Sequence, residues 1–359
     1  MTDHADRLRR LQERLPELEV DALLVTNLVN VRYLTGFAGT NGQVFVDASR
    51  AVFLTDPRYE ARSATLVHAA EIAIYQSRLV EGLTPLLAPL GVRRLGVEAK
   101  TMTIHERDDL DDRLESTALV PTVGVIEGLR RSKDPEEIER LRRAVRLGDE
   151  VFGWILDRLV PGATERQIAL DLELRMRELG ADEVSFPPIV GSGELSAHIH
   201  HTPTDRELQK GDLVLLDFGC RLDGYCSDLT RTVILGSASP TQRDMYGVVL
   251  EAQRAGIEAV GPGVPASRAD AAARSVIVHA SMGDRFGHGL GHGVGLEIHE
   301  DPRLSRISED VLAPFDAVTV EPGIYVQGEG GIRIEDCVVV TDSGHDVLGS
   351  APKQELIEL

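Results

Sequence analysis

Short apolar runs punctuate the first 127 positions, at Ala22 to Thr26, Gln43 to Val46, Ala51 to Thr55 and Leu95 to Glu98, with helically spaced stretches between them. Runs of that length bounded by turn residues predict strands, and their alternation with helices predicts a small α/β domain. The pattern then changes. Asp134-Pro135-Glu136-Glu137 offers an N-cap, a proline at the first helical position and acidic first-turn residues, opening a helix with Ile138, Leu141, Val145 and Leu147 on or near one face. A domain spanning 1–127 and a second spanning 128–359 are the expected division.

Inside the second domain one pattern occurs twice. Pro161-Gly162 precedes a helix ending near Gly180, and Pro262-Gly263 precedes one ending near Gly283. Each half then runs through a glycine-punctuated stretch into a strand hairpin, Gly211 to Gly219 in the first half and Phe315 to Gly323 in the second, with Asp217 and Glu321 in matching places. Two halves folding alike around one site is the simplest reading of such a repeat.

Composition narrows the classes of partner. A net charge of -20 repels phosphates and acidic head groups, so neither a nucleic acid nor a membrane surface is expected. The charged N-terminus lacks the apolar core of a signal peptide, and no run approaches membrane-spanning length, so a cytoplasmic protein is expected. Cys220, Cys226 and Cys337 are an odd number without zinc-ligand spacing, which suits a reducing compartment.

The candidate chemistry sits in the hairpins. A turn near Leu222-Asp223-Gly224 is expected to bring Asp217 nearly opposite Asp228, and a turn around Gln327-Gly328-Glu329 to fold Glu321 toward Glu335. Carboxylates within strands this apolar are expected to be buried, and a buried unpaired carboxylate costs several kcal/mol or protonates. A cation must compensate, either Arg231 and Arg333 or bound metal. Between the hairpins lies Gly287-His288-Gly-Leu-Gly-His292-Gly-Val-Gly295, where alternate glycines defeat a helix; an extended segment turns His288 and His292 to one side. Four carboxylates and one imidazole call for roughly two divalent ions, oxygen-preferring manganese, cobalt or iron before zinc. Paired ions suit hydrolysis.

The set Asp217-Phe-Gly, Ser227-Asp228-Leu-Thr-Arg-Thr, His292-Gly-Val-Gly, Glu321-Pro-Gly-Ile-Tyr325 and Arg333-Ile-Glu335-Asp resembles the proline-directed pita-bread metallopeptidases, aminopeptidase P and prolidase. The resemblance implies an α/β creatinase-like N-terminal domain, an α+β pita-bread catalytic domain with an internal pseudo-twofold repeat, commonly two Mn2+, and a homodimer. By the same resemblance Asp217, Asp228, His292, Glu321 and Glu335 hold the metals and Glu321 doubles as general base. His200 and His299 act on the substrate carbonyl, and His288, Arg303, Tyr325 and Arg333 surround the substrate, Arg333 by orienting a carboxylate. Where the family commonly has proline before its first catalytic histidine, this chain has Ile199 within His198-Ile-His200-His201, which leaves His201 as an alternative to His200.

Asn30 to Gly42 and Thr55 to Tyr59 look like short bacterial aminopeptidase P, which favours release of the first residue from peptides with proline second. Against this, His299-Glu-Asp-Pro-Arg303 resembles the prolidase segment whose arginine meets a dipeptide's carboxylate, though Arg303 also reads as a surface charge. Methionine aminopeptidase and a non-catalytic binding protein on the same fold are the remaining readings; the first normally lacks such an N-terminal domain, and the second typically loses ligands.

Overall fold

The computed structural model describes residues 3–359, which form two compact units divided between Arg130 and Arg131. In the first, a six-stranded mixed sheet runs in the order Glu71–Ile74, Ala51–Thr55, Gln43–Asp47, Ala22–Val25, Arg94–Glu98 and Ala118–Thr122. The four strands expected from apolar runs occupy its middle. The two edges had no such signal: Glu71–Ile74 is nowhere fully buried and Ala118–Thr122 carries Pro121, so neither edge needs a continuous apolar run.

The second unit is a helix-helix-hairpin arrangement made twice. Pro135–Ile155 and Glu165–Glu178 precede the first hairpin, and Pro240–Glu258 and Ala266–His279 precede the second. The Asp134 carboxylate accepts from Glu137 N while the Glu137 side chain accepts from Asp134 N, a capping box that starts the first helix where the sequence signals it. Each half encloses its own apolar core. One gathers Phe152, Leu172, Val214 and Phe218, and the other Val249, Ile277, Val318 and Val338. No helix among the described residues is long and apolar enough to cross a membrane.

Both hairpins are interrupted in mid-ladder; Asp228, Glu321 and Glu335 stand at the interruptions, and Asp217 in the ladder just before the first. In the first, pairing ends at Phe218 with Leu229 and resumes at Arg221 with Cys226; Asp228 stands in the gap. Only glycine fits at 219, since a Cβ there would lie 1.9 Å from the Ser227 carbonyl oxygen. In the second, Val320 pairs with Asp336 and Gly323 with Arg333 in one unbroken register, so Glu321 faces Glu335 across the gap. The first hairpin departs from the expected register: Asp217 faces Thr230, and Asp228 lies two residues nearer the turn, on the same side of the strand. The two hairpins are therefore not strict duplicates.

Candidate functional site

Freed from their ladders, the backbone groups at the gaps knit the hairpins together. Glu335 N donates to the Thr230 carbonyl at 3.1 Å, and the Thr230 hydroxyl donates to Glu335 Oε2 at 2.6 Å. Glu321 N donates to the Leu290 carbonyl at 2.8 Å, tying the second hairpin to the glycine-rich segment. His292 lies in the strand Gly291–Gly293, and a Cβ on Gly291 would fall 2.0 Å from the Thr319 carbonyl oxygen. Glycine at 291 thus lets the histidine-bearing strand press against the hairpin that carries Glu321.

The result is one acidic centre. His292 Nε2 lies 3.5 Å from Asp228 Oδ2 and 3.4 Å from Glu321 Oε1, and ligand atoms of Asp228, His292 and Glu335 all lie within 4.8 Å of one another. Because His292 Nδ1 faces the Gly293 carbonyl at 3.0 Å, that nitrogen carries the proton and Nε2 turns a lone pair toward the carboxylates. Burial lowers the ring to a pKa of about 3, so it stays neutral and cannot relieve the repulsion by protonating. A lone pair aimed at carboxylate oxygens is unfavourable unless a cation lies between them.

Asp217, Asp228 and Glu335 are buried, and Glu321, 18% exposed toward the cavity, is otherwise enclosed. Asp217 Oδ1, Asp228 Oδ1 and Glu335 Oε1 are buried with no hydrogen-bond partner. Of the two arginines that could have neutralised them, Arg231 is spent elsewhere, on Asp336 at 2.7 Å and the Ala351 carbonyl at 2.8 Å. Arg333 alone reaches the centre, its guanidinium 2.5 Å from Asp217 Oδ2. One guanidinium against four carboxylates leaves three negative charges unbalanced. Burial, then the charge of Glu335, pushes the Asp228 carboxyl well up. Glu335 is driven the same way by burial and then Glu321, and burial lifts Glu321 to about 7. Left alone the carboxyls hold protons; divalent cations would take the protons' place, and the donor set fits them.

The residues beyond this centre separate into those that face the cavity and those that hold others in place. A cavity of about 580 Å³ opens over the acidic cluster, walled by Phe186, Pro187, Pro188, Ile189 and Ile199 on one side and by His288, Ile298, His299 and Arg303 among others. His200 and His299 are exposed toward it, and His299 stands edge-on to His292 with ring centroids 4.4 Å apart. His201 also lines the cavity, but its Nε2 is 2.8 Å from the buried carboxylate of Glu165, which further accepts from Ser192 and Thr204. That bond occupies His201, leaving His200 as the histidine of this loop turned to the cavity.

Tyr325, expected beside the substrate, does not line the cavity. Its hydroxyl accepts from Arg333 at 2.8 Å and bonds His288 Nε2 at 2.9 Å. Arg333 lines the cavity and also donates to Thr230 and Asp217. Thr230, Glu165 and the Phe186 to Ile189 wall escaped the sequence reading. Thr230 lay within the Ser227 to Thr232 motif, but its part depends on which residue faces Asp217.

The chain belongs to metallopeptidase family M24: the sequence model of that family matches residues 139–342, and the model of the Creatinase/Prolidase N-terminal domain matches residues 7–132. It is a metal-dependent peptide hydrolase of that family, with a creatinase-type N-terminal domain and a pita-bread catalytic domain. The Xaa-Pro dipeptidase of Pyrococcus furiosus is 34% identical over 341 residues, 94% of this chain and 96% of that protein. Among solved structures, an Xaa-Pro dipeptidase from Bacillus anthracis superposes with a TM-score of 0.97 at 39% identity, covering 99% of this chain and 100% of that one. An X-Pro aminopeptidase from Thermotoga maritima gives 0.91 at 30% identity, covering 97% and 99%.

Proposed function

We propose that this protein is an Xaa-Pro dipeptidase, hydrolysing the bond between a first residue and a C-terminal proline. The observation that carries the reading is Arg303. It projects from the strand Glu300–Leu304 at the cavity wall, paired in the ladder with His292, and among the described residues it has no ion-pair partner although the chain is strongly acidic. A guanidinium left free beside a metallopeptidase centre suits the carboxylate of a dipeptide. The dipeptidases among the relatives support the same reading. Release of the first residue from longer peptides, which Asn30 to Gly42 favours, is the second reading; the aminopeptidase from Thermotoga maritima supports it. The domain division at 127/128, a homodimer and Mn2+ as the ion belong to the same proposal.

Asp217, Asp228, His292, Glu321 and Glu335 would hold the ions. Two divalent ions there would supply Lewis acidity toward the peptide carbonyl and make a water more acidic. Glu321, which lines the cavity, is placed to take the proton of the attacking water and return it to the departing proline nitrogen. His200 and His299 face the cavity as donors toward the carbonyl oxygen as it gains charge; burial and the neighbouring Arg303 lower His299, so it donates as the neutral ring. His288, fixed through Nδ1 to the Gly289 carbonyl and through Nε2 to Tyr325, presents a ring face for the proline, and Arg333 holds Asp217 in place.

The reading is tested by hydrolysis of Ala-Pro against Ala-Pro-Ala by metal-stripped protein resupplied with Mn2+. Preference for the dipeptide is expected, and Arg303→Ala should raise KM for Ala-Pro about 10- to 100-fold, the worth of a charged hydrogen bond. Preference for the tripeptide, with Arg303→Ala silent, would make this an aminopeptidase.

Metal binding should also show in stability. The folded state raises the Glu321 carboxyl from 4.5 to about 7, so the metal-free protein binds more protons folded than unfolded in that window. That part of its stability is present at low pH and lost as pH rises through about 7. The upward-shifted Asp228 and Glu335 act in the same sense. Mn2+ should therefore raise the Tm of chelator-treated protein more at about pH 8 than at about pH 5.5. Equal rises at both would contradict a proton-for-metal exchange.

A further inference from the structure

Lys133 is almost fully buried, and its ammonium is 2.9 Å from Glu300 Oε2, with side chains 1% and 7% exposed. Glu300 is enclosed on its other side as well. Glu297 N donates to Glu300 Oε1 at 3.1 Å, and the chain at Gly295 passes so close that a Cβ there would lie 2.6 Å from Glu300 Oε2. The carboxylate thus closes the turn from Gly295 to Glu300, and that turn carries Ile298 and His299 into the cavity wall. On the far side of Glu300 the ladder is irregular. Gly293 pairs with Glu300 and His292 with Arg303, so Asp301 and Pro302 are extra residues bulging between them. A bulge re-aims the side chain that follows it, and the side chain that follows is Arg303.

Lys133 is anchored independently of this loop: its own N–H donates to the Phe315 carbonyl at 3.0 Å, and the next residue caps the helix Pro135–Ile155. A charge buried beside a rigid helix start is therefore the fixed point against which a bulged strand is held. Removing two charges from water is costly, and the same space filled by apolar groups would often be no less stable. Stability alone gives weak reason for the pair.

We propose that Lys133 and Glu300 are positioning residues that set the aim of Arg303 and so determine how strongly the enzyme requires a free carboxylate next to the scissile bond. This rests on the dipeptidase reading. Its measure is the ratio of kcat/KM for Ala-Pro to that for Ala-Pro-amide, which lacks the charge. A residue that merely stabilises the fold would lower both substrates alike and leave the ratio unchanged.

In wild type the ratio is expected to be well above one, and in Arg303→Ala near one. In Lys133→Met it should drop about tenfold toward the Arg303→Ala value, chiefly through KM for Ala-Pro, with bound metal unchanged. Lys133→Arg, which keeps the charge, should recover part of it. If Lys133→Met leaves too little folded protein, the double variant Lys133→Met with Glu300→Leu removes both charges together and takes its place. A wild-type ratio in a folded, metal-loaded variant, while Arg303→Ala has lost it, would overturn the inference and leave the dipeptidase reading intact. A ratio near one already in the wild type would overturn both.

Discussion

Glu321→Gln should lose at least about a thousandfold in kcat for Ala-Pro while keeping its fold, the span of general-base catalysis alone being about 10²- to 10⁴-fold. The amide is nearly isosteric, and the Thr319 hydroxyl that donates to Glu321 Oε1 at 3.1 Å can still bond its oxygen. What disappears is a carboxylate 3.4 Å from His292 Nε2, and with it both a ligand charge and the group that would accept the proton. The variant is to be compared with wild type by single-turnover and steady-state kinetics, near-ultraviolet circular dichroism and metal content by mass spectrometry. Activity within a few-fold of wild type would remove Glu321 from the proton transfer. Loss of activity with near-normal metal content would separate its role as base from its role as ligand.

The second large effect is on stability. Arg333→Met should destabilise the metal-free protein by about 3–5 kcal/mol, the cost of removing one partner from a buried ion pair. The guanidinium is nearly inaccessible and donates to Asp217, Thr230 and Tyr325, so its loss leaves three polar groups and one more buried negative charge uncompensated. Burial works against its charge, yet Tyr325, Asp217 and Glu321 outweigh that and hold it firmly protonated, the signature of a cation the site depends on. Bound cations offset part of the same deficit, so the destabilisation should be smaller in protein saturated with Mn2+. Urea unfolding with chelator and with Mn2+ measures both. An equal loss in the two states would mean that Arg333 and the metal site do not share a charge balance.

Much of the site could be read from sequence because burial and charge conflict locally. Asp217 sits within Leu213 to Phe218, every residue of which is buried, and no arrangement of neighbours removes the need for a cation there. The choice of cation was not legible. Arg231 and Arg333 each lie on the returning strand of an acidic hairpin, yet Arg231 turns to Asp336 and the chain near the C-terminus while Arg333 turns to Asp217. Which side of a strand faces which partner depends on how two sheets meet.

The same distinction runs through the remaining residues. Alternation, capping and turn chemistry are properties of neighbours in the chain, so the central strands of the first unit, the helix starting at Pro135 and both acidic hairpins were determined by sequence alone. The edge strands Glu71–Ile74 and Ala118–Thr122 were not, because an exposed edge has no need of an apolar pattern. Nor was the register that places Thr230 opposite Asp217; it runs unchanged on both sides of the interruption, Phe218 with Leu229 and Arg221 with Cys226, and is set by the turn that joins the strands. His200 and His201 are adjacent and chemically alike, and only the buried Glu165, 36 residues away from His201, decides which is left for the cavity. Lys133 and Glu300 are 167 residues apart, and packing alone makes them partners. Sequence determined which chemistry must be buried; tertiary structure decided which groups compensate it, because ion pairs and hydrogen bonds between distant segments exist only once the chain has closed around them.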